Sequence, residues 1–275
     1  MTALTEQSTQ RSIRVRDINI NYHEAGAGSE AVILLHGAGP GASAWSNFRR
    51  TLGPLAARYR TLAIDMPHFG KSDRPAGHRH DPVFYSAVVL DVMDALHVDR
   101  AHFVGNSMGG VVSLRVALDA PERADRLVLM GTAGSLPLFT PSPTQGQRLL
   151  AGYYAPPGPS LERMQQFLSV MLHDQTMVTD ELVRERYDAS IANRPSEPPV
   201  PGGMGAVWRE VDRVEHKTLI VWGKEDRVVP LDAAFVLLRL MRNADLHVFA
   251  NSGHWAQNER ADDFNAVVLA FLTKP

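Results

Sequence analysis

The 275-residue sequence contains no cysteine. Disulfides, thiolate metal sites, iron–sulfur clusters and a cysteine nucleophile are excluded together, and the absence fits a reducing compartment. A charge excess is missing as well, since 28 basic and 30 acidic side chains leave a formal charge of −2. No electrostatic footprint for nucleic acid or an anionic membrane is present. No run approaches the ~18 uninterrupted apolar residues of a membrane span. The longest, 233–241, is broken by Arg239 and fits one core helix. Residues 1–16 are polar and lack the apolar core of a secretory signal. The expectation is a soluble, cytoplasmic protein with neither a nucleic-acid nor a membrane partner.

What is present is ordinary for a globular chain, with 44% hydrophobic and 21% charged residues. At roughly 150 residues per domain, the length falls between one domain and two. Residues 13–22 alternate like an antiparallel pair at a sheet edge. Short apolar runs at 31–35, 61–65, 101–105 and 126–130 predict strands. Helical spacings at 45–59, 85–97 and 109–118 separate them. Such alternation predicts a mainly parallel sheet with helices on both faces. The pattern then breaks, and 10 of the 18 prolines fall between Pro137 and Pro201. Only helices are predicted there, at 161–172 and 181–191. Strand, helix, strand and helix follow at 218–222, 231–241, 246–249 and 262–272. An inserted helical segment of about 75 residues far exceeds the usual loop of ~4–6, and such insertions cover or shape a site.

Gly105-Asn106-Ser107-Met108-Gly109 matches G-x-S-x-G between a predicted strand and a predicted helix, the setting of a nucleophile elbow. The bland reading is a helix start capped by serine. A serine needs a base, and of 11 histidines His254 sits in the loop between the last strand and the last helix. Such loops gather at the carboxyl ends of parallel strands, where an elbow also points. His23, His97 and His102 lie at element edges and His173 in the insert, while His78 and His80 fit a solvated loop better than a metal site. Asp226 follows the strand at 218–222 and is the acid expected to orient the base, with Glu225 and Asp232 as competitors. An oxyanion needs backbone donors, and Met108 N–H and Ala38 N–H are the candidates. Ala38 lies in the glycine-rich 36–41 stretch. A phosphate loop is the rival reading there, but no Gly-Lys-Ser/Thr follows.

These residues resemble the serine α/β-hydrolases, and within them the meta-cleavage product hydrolases of bacterial aromatic and steroid degradation. The broader likeness rests on His36-Gly37, on Asp65, Pro67, Gly70 and Ser72, on the elbow and on Asp226 with His254. The sharper likeness rests on 36–42 (HGAGPGA), 45–47 (WSN), 105–110 (GNSMGG) and 253–257 (GHWAQ). It extends from about residue 18 to about 272 and is weakest at 194–207, a stretch shorter and richer in proline than in relatives. The resemblance implies an α/β-hydrolase fold with a mostly parallel central sheet flanked by helices. Core segments at 1–135 and 212–275 would flank a helical lid at 136–211.

By the same resemblance the substrate is a 2-hydroxy-6-oxohexa-2,4-dienoate. Arg186 would hold its carboxylate, with Arg184 as competitor; Trp255, Asn106 and Asn47 would contact the dienoate or its oxygens. Core packing for Trp255 and a helix cap for Asn47 are the alternative roles. Ser107 would attack the C6 ketone after ketonisation, through an acyl-serine or a gem-diol. No cofactor and no metal is expected, and relatives are commonly dimers or larger. A serine carboxylesterase or lactonase is the nearest rival, and a non-catalytic ligand-binding homologue a remote one. Leu149, Leu150, Phe167, Leu168, Met171 and Met177 would make an apolar wall in the insert, or simply its core.

Overall fold

A computed structural model describes residues 4–76, 81–194 and 207–274. His78, His80 and most of the 194–207 stretch lie outside the described residues. Eight strands form one sheet in the order β1-β2-β4-β3-β5-β6-β7-β8. β1 (Gln10–Val15), β2 (Ile18–Ala25) and β4 (Arg60–Ile64) pair antiparallel in sequence. β3 (Ala31–Leu35), β5 (Ala101–Asn106), β6 (Ala124–Met130), β7 (Thr218–Gly223) and β8 (Ala244–Phe249) run parallel with β4. Every residue of β3, β5 and β7 is buried, because helices cover both sheet faces. That is why these strands are unbroken apolar runs, whereas β1 alternates at the edge.

One core fills the face bearing Ile33, Phe103, Leu129 and Ile220, against α4 (Pro82–Ala95), α5 (Met108–Asp119) and α9 (Asp232–Leu240). The other fills the face bearing Leu34, Val104, Val128 and Val221. It packs on α2 (Ala44–Phe48), α3 (Leu52–Ala56) and α11 (Ala261–Leu272), while the one-turn helices α1 (Glu6–Thr9) and α10 (Ala256–Glu259) precede β1 and α11. Each fully buried Val, Leu, Ile or Phe contributes about 1.5–3 kcal/mol.

The single helix expected at 45–59 is two helices. Pro54 is the third residue of α3; it has no N–H to donate and its ring crowds the carbonyl four residues back. α4 starts earlier than the apolar spacing implied, because Asp81 accepts the Phe84 N–H and Pro82 fits the first turn.

Between β6 and β7 the chain leaves the sheet to build α6 (Gln145–Gly152), α7 (Leu161–Met171) and α8 (Asp180–Ala192). β6 nevertheless pairs with β7 directly, Leu127 opposite Thr218 through Met130 opposite Val221. α6 was not expected, although Thr144 and Gln147 form a capping box there. No helix among the described residues is long and apolar enough to cross a membrane.

Candidate active site

The loops after β3, β5, β7 and β8 converge at the carboxyl end of the sheet, under α7 and α8. Ser107 sits between β5 and α5 at φ 53° and ψ −111°, a strained backbone for a residue with a Cβ. Its N–H donates to Met130 O at 2.8 Å, and its carbonyl accepts from Gly110 N–H at 3.1 Å. The flanking glycines are required by contact: a Cβ on Gly105 would lie 2.4 Å from Gly109 O, and one on Gly109 1.9 Å from Leu35 O.

Asp226 lies on the turn that leaves β7. Its Oδ1 accepts from Val228 N–H at 2.8 Å and Val229 N–H at 3.0 Å. Its Oδ2 lies 2.7 Å from His254 Nδ1. A carboxylate accepts, so Nδ1 carries the proton and Nε2 is left with its lone pair. Both residues are buried, and His254 lines one cleft with Ser107. Among the described residues no hydrogen bond joins the Ser107 hydroxyl to His254; such bonds are often long without substrate. The competing acids are occupied elsewhere. Glu225 accepts from Ser252 N–H at 3.0 Å, and Asp232 from Phe139 and Thr140 N–H at 2.8 and 2.9 Å.

Met108 N–H is the first of α5, where no intrahelical acceptor exists. Ala38 follows Gly37, whose Cβ would lie 3.0 Å from Asn106 Oδ1 and 3.2 Å from Ser107 Cβ, so this loop abuts the nucleophile. Buried His36 fixes the loop from below. Its Nε2 accepts from Met66 N–H at 3.0 Å, and its Nδ1 lies 2.8 Å from Gly37 O. Burial holds its pKa below the usual histidine value, so the ring is neutral.

Arg186 of α8 is 2% exposed. Its Nε and Nη2 donate to Pro40 O at 3.0 and 2.6 Å, and its guanidinium lies 5.1 Å from the Trp255 ring centroid. Burial pushes its pKa down to about 10, still charged at neutral pH. Among the described residues no carboxylate pairs with it. Arg184, the competing residue, is exposed. Trp255 is buried and donates from Nε1 to Asn47 Oδ1 at 3.3 Å. Asn47 also donates to Ser43 O at 3.1 Å, and Gly37 N–H points to its Oδ1 at 3.5 Å. Its amide is therefore engaged within the protein and braces both the Ala38 loop and Trp255. Asn106 donates to Met130 O at 3.3 Å and also lines the cleft.

Two site-building carboxylates had no role assigned from the sequence: Asp65, noted there only as part of a motif, and Glu259. Asp65 accepts from Ala44 N–H, Asn21 Nδ2 and Lys71 N–H at 2.6, 2.8 and 2.9 Å, anchoring the start of α2. The Asp65, Gly70 and Ser72 motif is thus structural. Glu259 accepts from Gly253 N–H at 2.7 Å and from His173 and Asp174 N–H at 2.7 and 2.9 Å. It ties the His254 loop to the end of α7, as does the 2.8 Å bond from His254 N–H to Met171 O. Burial raises the Glu259 pKa, outweighing these bonds. The enclosed space is small, about 40 Å³, walled on one side by Leu150, Phe167, Met171 and Val228.

A family described as alpha/beta hydrolase fold matches residues 30–261, the class that this sheet and elbow define. Among curated relatives, a 2-hydroxy-6-oxo-6-phenylhexa-2,4-dienoate hydrolase of Burkholderia cepacia is 42% identical over 99% of both chains. A 2-hydroxy-6-oxononadienedioate/2-hydroxy-6-oxononatrienedioate hydrolase of Pseudomonas putida is 39% identical over 99% of this chain and 100% of its own. Among solved structures, the meta-cleavage product hydrolase of Pseudomonas fluorescens IP01 superposes with a TM-score of 0.88 at 38% identity. That structure is a serine-to-alanine variant complexed with acetates, and the match covers 97% of this chain and 98% of its own. The chain belongs to the alpha/beta hydrolase fold family and, within it, to the meta-cleavage product hydrolases.

Proposed function

We propose that the protein hydrolyses a carbon–carbon bond in 2-hydroxy-6-oxohexa-2,4-dienoate-type ring-fission products of aromatic or steroid degradation. The products are 2-hydroxypenta-2,4-dienoate and a carboxylic acid. The observation that carries this reading is Arg186, a buried guanidinium without a carboxylate partner, on the same cleft as Ser107 and His254. A charge desolvated in this way is costly unless a ligand supplies the counter-ion. A guanidinium fork suits a carboxylate.

In this mechanism Arg186 and Trp255 hold the carboxylate end while the dienol ketonises by proton transfer to C5. Asn106 contacts the oxygens, and Asn47 acts by bracing the Ala38 loop and Trp255. His254 takes the proton of Ser107, which attacks the C6 ketone; Asp226 holds the imidazole and stabilises its cation. The oxyanion accepts from the N–H groups of Ala38 and Met108. The C5–C6 bond then breaks, its electron pair delocalising through C3–C4 onto the 2-keto oxygen, and the C2 oxygen of this dienolate takes the proton that His254 holds. Water, deprotonated by His254, releases the acid from acyl-Ser107.

The segment 136–211 acts as the lid, and it supplies Arg186 together with Leu150, Phe167 and Met171 of the apolar wall. Arg186 is the one cation among the described residues lining the cleft. The acyl group is accordingly neutral and apolar, like a phenyl group, and not a second carboxylate. Assembly as a homodimer or larger and a cytoplasmic location belong to the same proposal; the absence of cysteine supports the latter.

The test compares kcat/KM for a 6-aryl dienoate, a dioic dienoate and p-nitrophenyl esters. The expected order is aryl, then dioic, then ester; faster ester turnover would make the protein a carboxylesterase. Arg186→Ala should cost the aryl dienoate about 2–5 kcal/mol, or about 30- to 5000-fold, and the esters far less. Equal losses would remove Arg186 as the carboxylate anchor.

A further inference from the structure

The amino end of the sheet, opposite the catalytic cleft, holds a second convergence of polar side chains. Glu30 immediately precedes β3, His102 is the second residue of β5, and Asp125 the second of β6. Val32 lies opposite His102 in the ladder, and Glu30, two residues earlier, shares its face. Between the pairs Ala101–Ala124 and Phe103–Leu127, β6 carries one residue more than β5, so a bulge at Asp125 and Arg126 stands opposite His102 and re-aims the β6 side chains there. One ligand atom from each of Glu30, His102 and Asp125 then lies within 4.8 Å of the others.

His102 is 3% exposed, and its Nδ1 has no hydrogen-bond partner among the described residues. Orphaned buried polar atoms are rare in folded proteins. This one lies 3.4 Å from Asp125 Oδ2. Two donors on one tetrahedral zinc, with bonds of about 2.0–2.2 Å, stand about 3.4 Å apart. The ring is held edge-on against Tyr59, with centroids 5.6 Å apart. The other oxygen of Asp125 accepts from Arg100 Nη2 at 2.7 Å, the kind of outer hydrogen bond that orients a ligating carboxylate. An open groove of about 360 Å³ leads from solvent to the cluster. Arg60 and Arg100 border it, but Glu24 and Asp125 pair with them at 2.7 Å each.

We propose that Glu30, His102 and Asp125 form a binding site for a divalent transition-metal ion of the zinc type, with water completing the coordination. Imidazole with two carboxylates favours such an ion over calcium or magnesium, which prefer all-oxygen sites. Bound there, the ion links the starts of β3, β5 and β6. Its effect falls on stability rather than on the chemistry at the other end of the strands.

The test uses the full chain, stripped with chelator and titrated with Zn²⁺ by calorimetry and by equilibrium dialysis with metal analysis. Glu30→Ala and His102→Gln are the comparison variants; Glu30 is exposed, so its replacement leaves the fold intact. The expected result is one more bound zinc per chain in the wild type than in either variant. Zn²⁺ should raise the unfolding midpoint of the wild type alone, with hydrolase turnover of Glu30→Ala unchanged. Equal stoichiometry in the wild type and Glu30→Ala, or a wild-type midpoint indifferent to Zn²⁺, overturns the proposal.

Discussion

The two ends of the sheet treat charge in opposite ways. At the amino end, arginines meet partners in the fold: Arg60 with Glu24, Arg100 with Asp125, Arg123 with Asp94, and Arg126 with the Phe271 carbonyl. At the carboxyl end, Arg186 is more deeply buried than any of these, and among the described residues its guanidinium meets a carbonyl and an aromatic face but no carboxylate. Charges satisfied within the fold serve the fold. A charge buried with no counter-ion among the described residues is, on the function proposed, held ready for something that arrives from outside.

Variants at the two ends should therefore fail differently. Ser107→Ala has the largest expected effect, a fall in kcat of about 10^4-fold or more with the fold retained; a variant with substantial turnover would remove Ser107 as the nucleophile. Arg123→Ala, at the other end, loses bonds to Asp94 Oδ1, Asp99 O and Val98 O. It should cost about 1–2 kcal/mol in urea unfolding and leave kcat untouched. A lowered kcat would show the ends to be coupled. The smallest effect concerns pH. Burial holds His23 and His36 below the ordinary histidine value of 6.5. Below pH 6.5 the unfolded chain binds more protons than the folded one at these sites. Stability is then full above that pH and declines as pH falls through it. Urea midpoints between about pH 5 and about pH 8 should show this slope, flattened in His36→Asn; an identical slope would show that His36 is not responsible.

The central strands were legible because burial on both faces leaves only apolar residues in them, and β3 was bounded at 31–35 by this alone. Ser107, Asp226 and His254 were legible because each follows a recognisable strand, and the fold brings such loop positions together. Glu225 and Asp232 were separable from Asp226 only by their partners, which are long-range. Asn47 illustrates a deeper limit. The sequence offered a substrate ligand or a helix cap, and it gave no sign that the folded amide would also bond Trp255 and face the Gly37 N–H of the Ala38 loop. α6 was missed because its capping signal lies among prolines, and Glu259 because its partners are backbone groups with no side-chain pattern.

The glycines of the 36–41 loop have one further consequence. A Cβ on Gly41 would lie 2.2 Å from the backbone oxygen of Arg186, and one on Gly39 would lie 3.2 Å from its Nη2. Main chain rests on main chain between the elbow and α8, so the span from guanidinium to serine hydroxyl is set by contact and not by side-chain choice. The cleft works as a caliper with one jaw welded. If Arg186 holds the substrate carboxylate as proposed, the number of carbons between that carboxylate and the bond that breaks is inherited with the backbone. Sequence drift along Leu150, Phe167, Met171 and Val228 can alter only what is tolerated beyond that bond.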